Sequence, residues 1–131
     1  LFRHHIGFGV QLGCSHGAKD AEMTARNAHE KIFMDKVIQI AVMCGWKVDH
    51  TPPMRYPNGA VRTGGLRGKP DLCLIHPGGR GIIWAELKTD KGKLTPEQTV
   101  IIGALRANGA EVYVWRENQL DLIAERLGRP A

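Results

Sequence analysis

The sequence predicts an α/β protein, a mixed β-sheet flanked by helices in the order αβββαβα. Three observations carry that prediction. Residues 27–44, NAHEKIFMDKVIQIAVMC, hold apolar side chains at helical spacing. Residues 72–75 and 82–85, LCLI and IIWA, are short apolar runs joined by a turn containing three glycines and a proline. After Lys88 a second helical pattern begins near Thr95 and is followed by the strand-like EVYVWR at 111–116. With 131 residues and 43% hydrophobic content, the chain can bury one core and is long enough for one domain.

Taken in order, residues 1–22 are rich in glycine and histidine and keep neither helical nor strand period. They read as part of a flexible N-terminal arm, residues 1–26, before a domain at 27–131. His4, His5, Cys14 and His16 match the spacing of no familiar metal site. Asn27 suits a helix cap, and Glu30 stands three residues later in the capping-box position. Phe33, Val37, Ile40, Ala41 and Cys44 form the apolar stripe, Met34 and Ile38 widen it, and Gly45 stops it. Glu30 leads this stripe, so its carboxylate either caps the helix or stands as a third acid at the edge of a site. WKVDH at 46–50 follows as the first strand.

The next stretch, from Thr51 to Lys69, is too rich in glycine and proline for regular structure and longer than an ordinary connection. It contains no Asp or Glu but carries Arg55, Arg62, Arg67 and Lys69. Such a loop is either a solvated basic segment or a phosphate track, because phosphate contacts dominate nucleic-acid affinity. Tyr56 within it is a candidate nucleic-acid contact, and His50 just before it either contacts phosphate or is a structural histidine. Beyond the loop, Pro96 suits the first turn of the second helix, whose apolar face is expected from Val100, Ile101 and Leu105 with nearby Ile102 and Ala104. Gln98 and Arg106 flank that face. LDLIAERLG at 120–128 closes the chain as a short helix.

The two apolar runs at 72–75 and 82–85 carry the chemistry. In a hairpin, the start of the first strand and the end of the second lie together, so Asp71, Glu86 and Lys88 converge. Glu86 and Lys88 share one face because strand side chains alternate, and Leu87 takes the other. Two converging carboxylates call for a cation, and hard oxygen ligands suit magnesium or manganese better than zinc. The same pattern also fits an ordinary surface hairpin with a salt bridge. His76, at the distal turn, reads as a solvent-exposed turn residue, and Trp84 and Trp115 as packing residues.

Eighteen basic against 13 acidic side chains give a net charge of +5, which favours an acidic partner. No apolar run approaches the roughly 20 residues needed to span a bilayer, so a soluble, cytoplasmic protein is expected. Cys14, Cys44 and Cys73 form no CxxC pair, and Cys44 and Cys73 read as small buried side chains.

Together, Glu30, GWKVDH (45–50), GKPDL (68–72), AELKTDKGKLTPEQ (85–98) and NGAEVYVWR (108–116) resemble the VRR-NUC domain. That domain belongs to the restriction-endonuclease-like, or PD-(D/E)XK, nuclease superfamily, and small stand-alone forms are encoded by phages and bacteria. An ExK alone is nearly worthless as evidence, whereas PD, ExK and LTPEQ in this order are specific. The resemblance covers residues 27–128. It implies a restriction-endonuclease-like core, with Asp71 and Glu86 as metal-binding carboxylates assisted by the Leu87 backbone carbonyl. Glu30 would join them directly or through water, Lys88 would be the catalytic lysine, and Gln98 the glutamine of the following helix. The implied cofactor is Mg2+, with Mn2+ able to substitute. The implied activity is endonucleolytic hydrolysis of branched DNA such as four-way junctions or flaps, by a homodimer acting in the cytoplasm of a bacterial host. His50, Arg55, Tyr56, Arg62, Arg67 and Lys69 would contact DNA. Two alternatives stand beside this: a non-catalytic nucleic-acid-binding domain, and a sequence-specific restriction-type enzyme.

Overall fold

A computed structural model describes residue 25 and residues 27–50, 53–63 and 65–129, with backbone alone at 53–55 and 61–63. The expected N-terminal arm and its His4, His5, Cys14 and His16 lie outside the described residues. The chain divides into two compact units, Leu1–Ile32 and Phe33–Ala131. In the first, residues 27–32 are helical and exposed, Glu30 among them.

The helix α1 spans residues 27–43 and enters the second unit at Phe33. There Phe33, Val37 and Ala41 present their predicted stripe to the core, each at most 3% exposed. Six strands follow: β1 (Lys47–His50), β2 (Pro53–Arg55), β3 (Val61–Thr63), β4 (Leu72–Ile75), β5 (Ile82–Lys88) and, after helix α2 (Pro96–Ala107), β6 (Glu111–Arg116). A short 3-10 turn at Glu117–Gln119 leads into α3 (Leu120–Gly128).

The main sheet runs β1–β4–β5–β6. β1 and β5 are antiparallel to β4, and β6 is parallel to β5. The parallel pair is possible because α2 forms the crossover between its strands. Leu72, Leu74, Ile83 and Ala85 fill one face of the sheet, each fully buried against α1 and α3. Trp46 ties the end of α3 to this core, its indole N–H donating to the Leu127 carbonyl at 2.9 Å. A mixed sheet flanked by helices is therefore observed.

The expectation of irregular structure between β1 and β4 is corrected. β2 and β3 pair as an antiparallel hairpin, Pro53 opposite Thr63 and Arg55 opposite Val61. Its turn is closed by Tyr56 N–H to the Ala60 carbonyl at 2.9 Å, with Asn58 Oδ1 accepting from Ala60 N–H at 3.0 Å. Strands of three residues are too short to establish a period, and an Asn-Gly turn suffices to hold them.

Two further expectations change. His76 is a tether between distant segments: one ring nitrogen accepts from Gly78 N–H at 2.9 Å, leaving the other to donate to the Cys44 carbonyl at 3.1 Å. Of the residues expected on the apolar face of α2, Val100 and Ala104 are instead exposed. Val100 is 67% exposed and Ile102 only 2%. The sheet-facing stripe passes through Gln98, Ile102 and Leu105, so a polar residue occupies its first position.

At the start of β6, Glu111 accepts two hydrogen bonds from Arg126 of α3, at 2.6 and 2.9 Å, and one from the Tyr113 hydroxyl at 2.6 Å. The Arg126 guanidinium holds the Glu111 carboxyl below its ordinary range. That contribution is complete above the unfolded carboxylate range and is lost as the pH falls through the lowered folded value. Replacing Glu111 with Gln is expected to cost about 1 kcal/mol at pH 7, a figure discounted for the exposed third of the glutamate side chain. Urea melts at pH 7 and pH 3 check it: the difference between variant and parent should shrink towards zero at the lower pH.

Candidate active site

The site forms where β4 begins and β5 ends. Because Leu72 pairs with Ala85, the residue before β4 falls opposite Glu86. Asp71 Oδ2 accepts the Leu87 N–H at 2.9 Å, capping the strand end with a side chain where β4 no longer supplies a carbonyl. N–H and C=O of one strand residue point towards the same neighbour, so the Leu87 carbonyl is directed to the Asp71 side as well. The Leu87 side chain packs on the core face, which leaves Glu86 and Lys88 together on the other.

Glu86 is the buried charged residue of the described core, 2% exposed. Its Oε1 accepts from Gln98 Nε2 at 2.8 Å and lies 3.6 Å from Lys88 Nζ. Oε2 is buried without a hydrogen-bond partner. Burial first, and then the neighbouring Asp71 carboxylate, push the Glu86 carboxyl up to about 8, with Lys88 pulling the other way. One lysine beyond hydrogen-bond distance does not offset two clustered acids in a dry site. An oxygen of this kind, orphaned beside a second carboxylate, is suited to a hard divalent cation.

Gln98 is oriented by its own helix. Thr95 caps α2, accepting the Gln98 N–H at 3.1 Å, while Gln98 Oε1 accepts the Thr95 N–H at 2.9 Å. With the amide oxygen held by the cap, the amide nitrogen faces Glu86. The Thr-x-x-Gln spelling of this cap was visible in the sequence, although its consequence for Glu86 was not. Arg116, which sequence reasoning passed over, donates to the carbonyls of Thr89 and Gly92 at 2.8 and 2.6 Å and fixes the link between β5 and α2.

No protein-family model and no curated protein sequence matches the chain. A solved structure described as a VRR_NUC domain does match, at 26% sequence identity with a TM-score of 0.55, over 73% of this chain and 94% of that one. In fold and in sequence the chain is similar to a VRR_NUC domain.

That similarity supports a nuclease-family fold, and in this structure Asp71, Glu86, Lys88 and Gln98 come together. Glu30 belongs to the Leu1–Ile32 unit, where it is exposed on α1. Among the described residues no group of three or more His, Cys, Asp or Glu side chains could hold a metal ion. Within the second unit the acids brought together are Asp71 and Glu86.

The expected nucleic-acid contacts are spread out. Arg55 and Arg62 lie on the backbone of β2 and β3, and their side chains are outside the description. Tyr56 and Arg67 are exposed and Lys69 is half-buried. His50 is exposed at the end of β1, opposite Leu72, on the face shared with Val48 and the core. Strand alternation therefore turns it away from the Glu86 and Lys88 face.

Proposed function

We propose that the protein is a metal-dependent DNA endonuclease selective for branched DNA. The observation that supports this best is the buried, unpartnered Glu86 Oε2 beside Asp71 in a nuclease-family fold. Asp71, Glu86 and the Leu87 carbonyl would hold Mg2+, with Glu30 contributing directly or through water and Mn2+ able to substitute. The bound ion supplies positive charge that acidifies water and neutralises the phosphate.

The chain's own residues do the remainder. Gln98 keeps one Glu86 oxygen in place and leaves the second for the ion. Lys88 presents a compact ammonium on the same face, where it orients the attacking water or stabilises a nonbridging phosphate oxygen. Water adds to phosphorus, the P–O bond to the sugar breaks, and the departing oxygen takes a proton, leaving a phosphate end and a hydroxyl end. Arg55, Tyr56, Arg62, Arg67 and Lys69 contact the DNA backbone, because cations in a segment free of acids suit phosphate. Two subunits would be needed to cut both strands of a junction symmetrically, so the active form is a homodimer.

The test is cleavage of duplex, single-stranded, flap and four-way DNA with Mg2+, Mn2+ or chelator. Metal-dependent cutting of the flap or four-way substrate above duplex is the expected result. Cutting that persists in chelator removes the metal from the mechanism. Binding without cutting favours a non-catalytic domain, and cutting confined to one duplex sequence favours a restriction-type enzyme. A monomeric mass both free and with branched DNA would remove the paired-cut arrangement.

A further inference from the structure

The glycine before the PD motif does more than turn the chain. Gly68 has φ +87°, and a Cβ placed on it would lie 2.5 Å from the Glu97 carbonyl oxygen and 3.0 Å from Gln98 N. These are backbone atoms in the first turn of α2, so nothing flexible can yield. Arg67, one residue earlier, lines a groove with Pro96, Glu97, Val100 and Ile101 of the same helix. The end of the basic segment therefore rests directly on the turn that carries Gln98. Three residues further on, Asp71 accepts the Leu87 N–H and flanks Glu86 from the other side.

We propose that Gly68 is a positioning residue: its missing side chain lets the segment leading to Asp71 seat on the first turn of α2, which sets Gln98 Nε2 against Glu86. This rests on the nuclease reading for its effect on cleavage, though the seating itself is independent of it. The two sides of the acid pair come from segments 27 residues apart, Asp71 before β4 and Gln98 after β5. The Gly68 contact is where those segments meet as backbone on backbone. A displacement of under an ångström there would move the amide off its carboxylate, and catalytic groups tolerate little misplacement.

Gly59 supplies the control. It also has positive φ, +83°, but a Cβ there meets nothing within 4 Å. Gly59→Ala carries the backbone strain without the clash, and Gly68→Asn carries the clash on a residue type that tolerates positive φ. Should Gly68→Ala not fold, Gly68→Asn reads the clash alone.

The variants are compared in three measurements. The first is the Gln98 side-chain amide resonance of the metal-free protein, identified by its loss in Gln98→Glu. The second is Mn2+ binding by calorimetry, and the third is steady-state cleavage of branched DNA. Expected for the Gly68 variants are a shifted, faster-exchanging Gln98 amide, weaker Mn2+ binding, and kcat reduced at least ~10-fold with KM within about threefold. Gly59→Ala should match the parent in all three. An unmoved Gln98 amide in folded Gly68 variants overturns the proposal, as does an equal loss in Gly59→Ala. If the parent cleaves no DNA, the nuclease reading fails while the amide resonance still decides the positioning role.

Discussion

Lys88→Ala is expected to lower the single-turnover cleavage rate by roughly 10²- to 10³-fold while leaving DNA affinity in chelator within about threefold. The reason is geometric. Lys88 Nζ stands 3.6 Å from Glu86 Oε1, too far for a strong hydrogen bond, and its side chain is 18% exposed. It is thus held near the acid pair by charge and keeps its donors available to water or phosphate. On the proposed reading, its contribution to overall DNA binding is small beside that of the basic segment. Lys88→Arg keeps the charge but spreads it over a planar fork on a longer reach, and is expected to recover less than about a tenth of the rate. A rate for Lys88→Ala within threefold of the parent, measured with enzyme in excess and Mg2+ saturating, would remove the lysine from the mechanism.

The second large effect concerns stability. With the Glu86 carboxyl pushed up to about 8, the folded metal-free protein holds a proton that the unfolded chain gives up near the ordinary glutamate range. The folded state is therefore penalised as the pH rises above the unfolded value, and the penalty is complete above about 8. Glu86→Gln removes the charge, keeps an acceptor for Gln98 and offers a donor to Asp71. In chelator at pH 8 it should melt higher than the parent by roughly 1–3 kcal/mol, with the difference vanishing near pH 4. Mg2+ should reverse the order of benefit. The parent gains about 2.7 kcal/mol at a hundredfold excess over its dissociation constant, and the variant gains little. Calorimetric melts across pH with and without Mg2+ measure both. A variant less stable than its parent in chelator at pH 8 would mean that Glu86 is not strained in the folded state.

These expectations also separate what could be read from the sequence and what could not. The convergence of Asp71, Glu86 and Lys88 was legible because it needs only the period of a strand and the closure of a hairpin, both written within 21 residues from Gly68 to Lys88. The α1 stripe at Phe33, Val37 and Ala41 was legible for the same reason. The face of His50 was legible in principle, since it shares parity with Val48, a core-facing residue.

The tether from His76 to the Cys44 carbonyl was not legible, because its partner lies 32 positions away and no local pattern marks it. The β2–β3 hairpin was hidden by composition, as glycine and proline mask strands that are only three residues long. The burial of Glu86 had no local signal either. Alternation says which face a side chain takes, and only the seating of α2 over that face says whether water reaches it.

The Thr95–Gln98 cap has a consequence for how such a site can be transplanted or altered. One amide both terminates a helix and addresses the acid, so the four residues from 95 to 98 behave as a single exchangeable cassette. Gln98→Glu would keep the cap's acceptor but point a third carboxylate at Glu86, and loss of Thr95 would free the amide to rotate. Anyone grafting the acid pair onto another sheet would have to carry the helix start with it, at the same angle, or arrive with the ligands and without the hand that holds them.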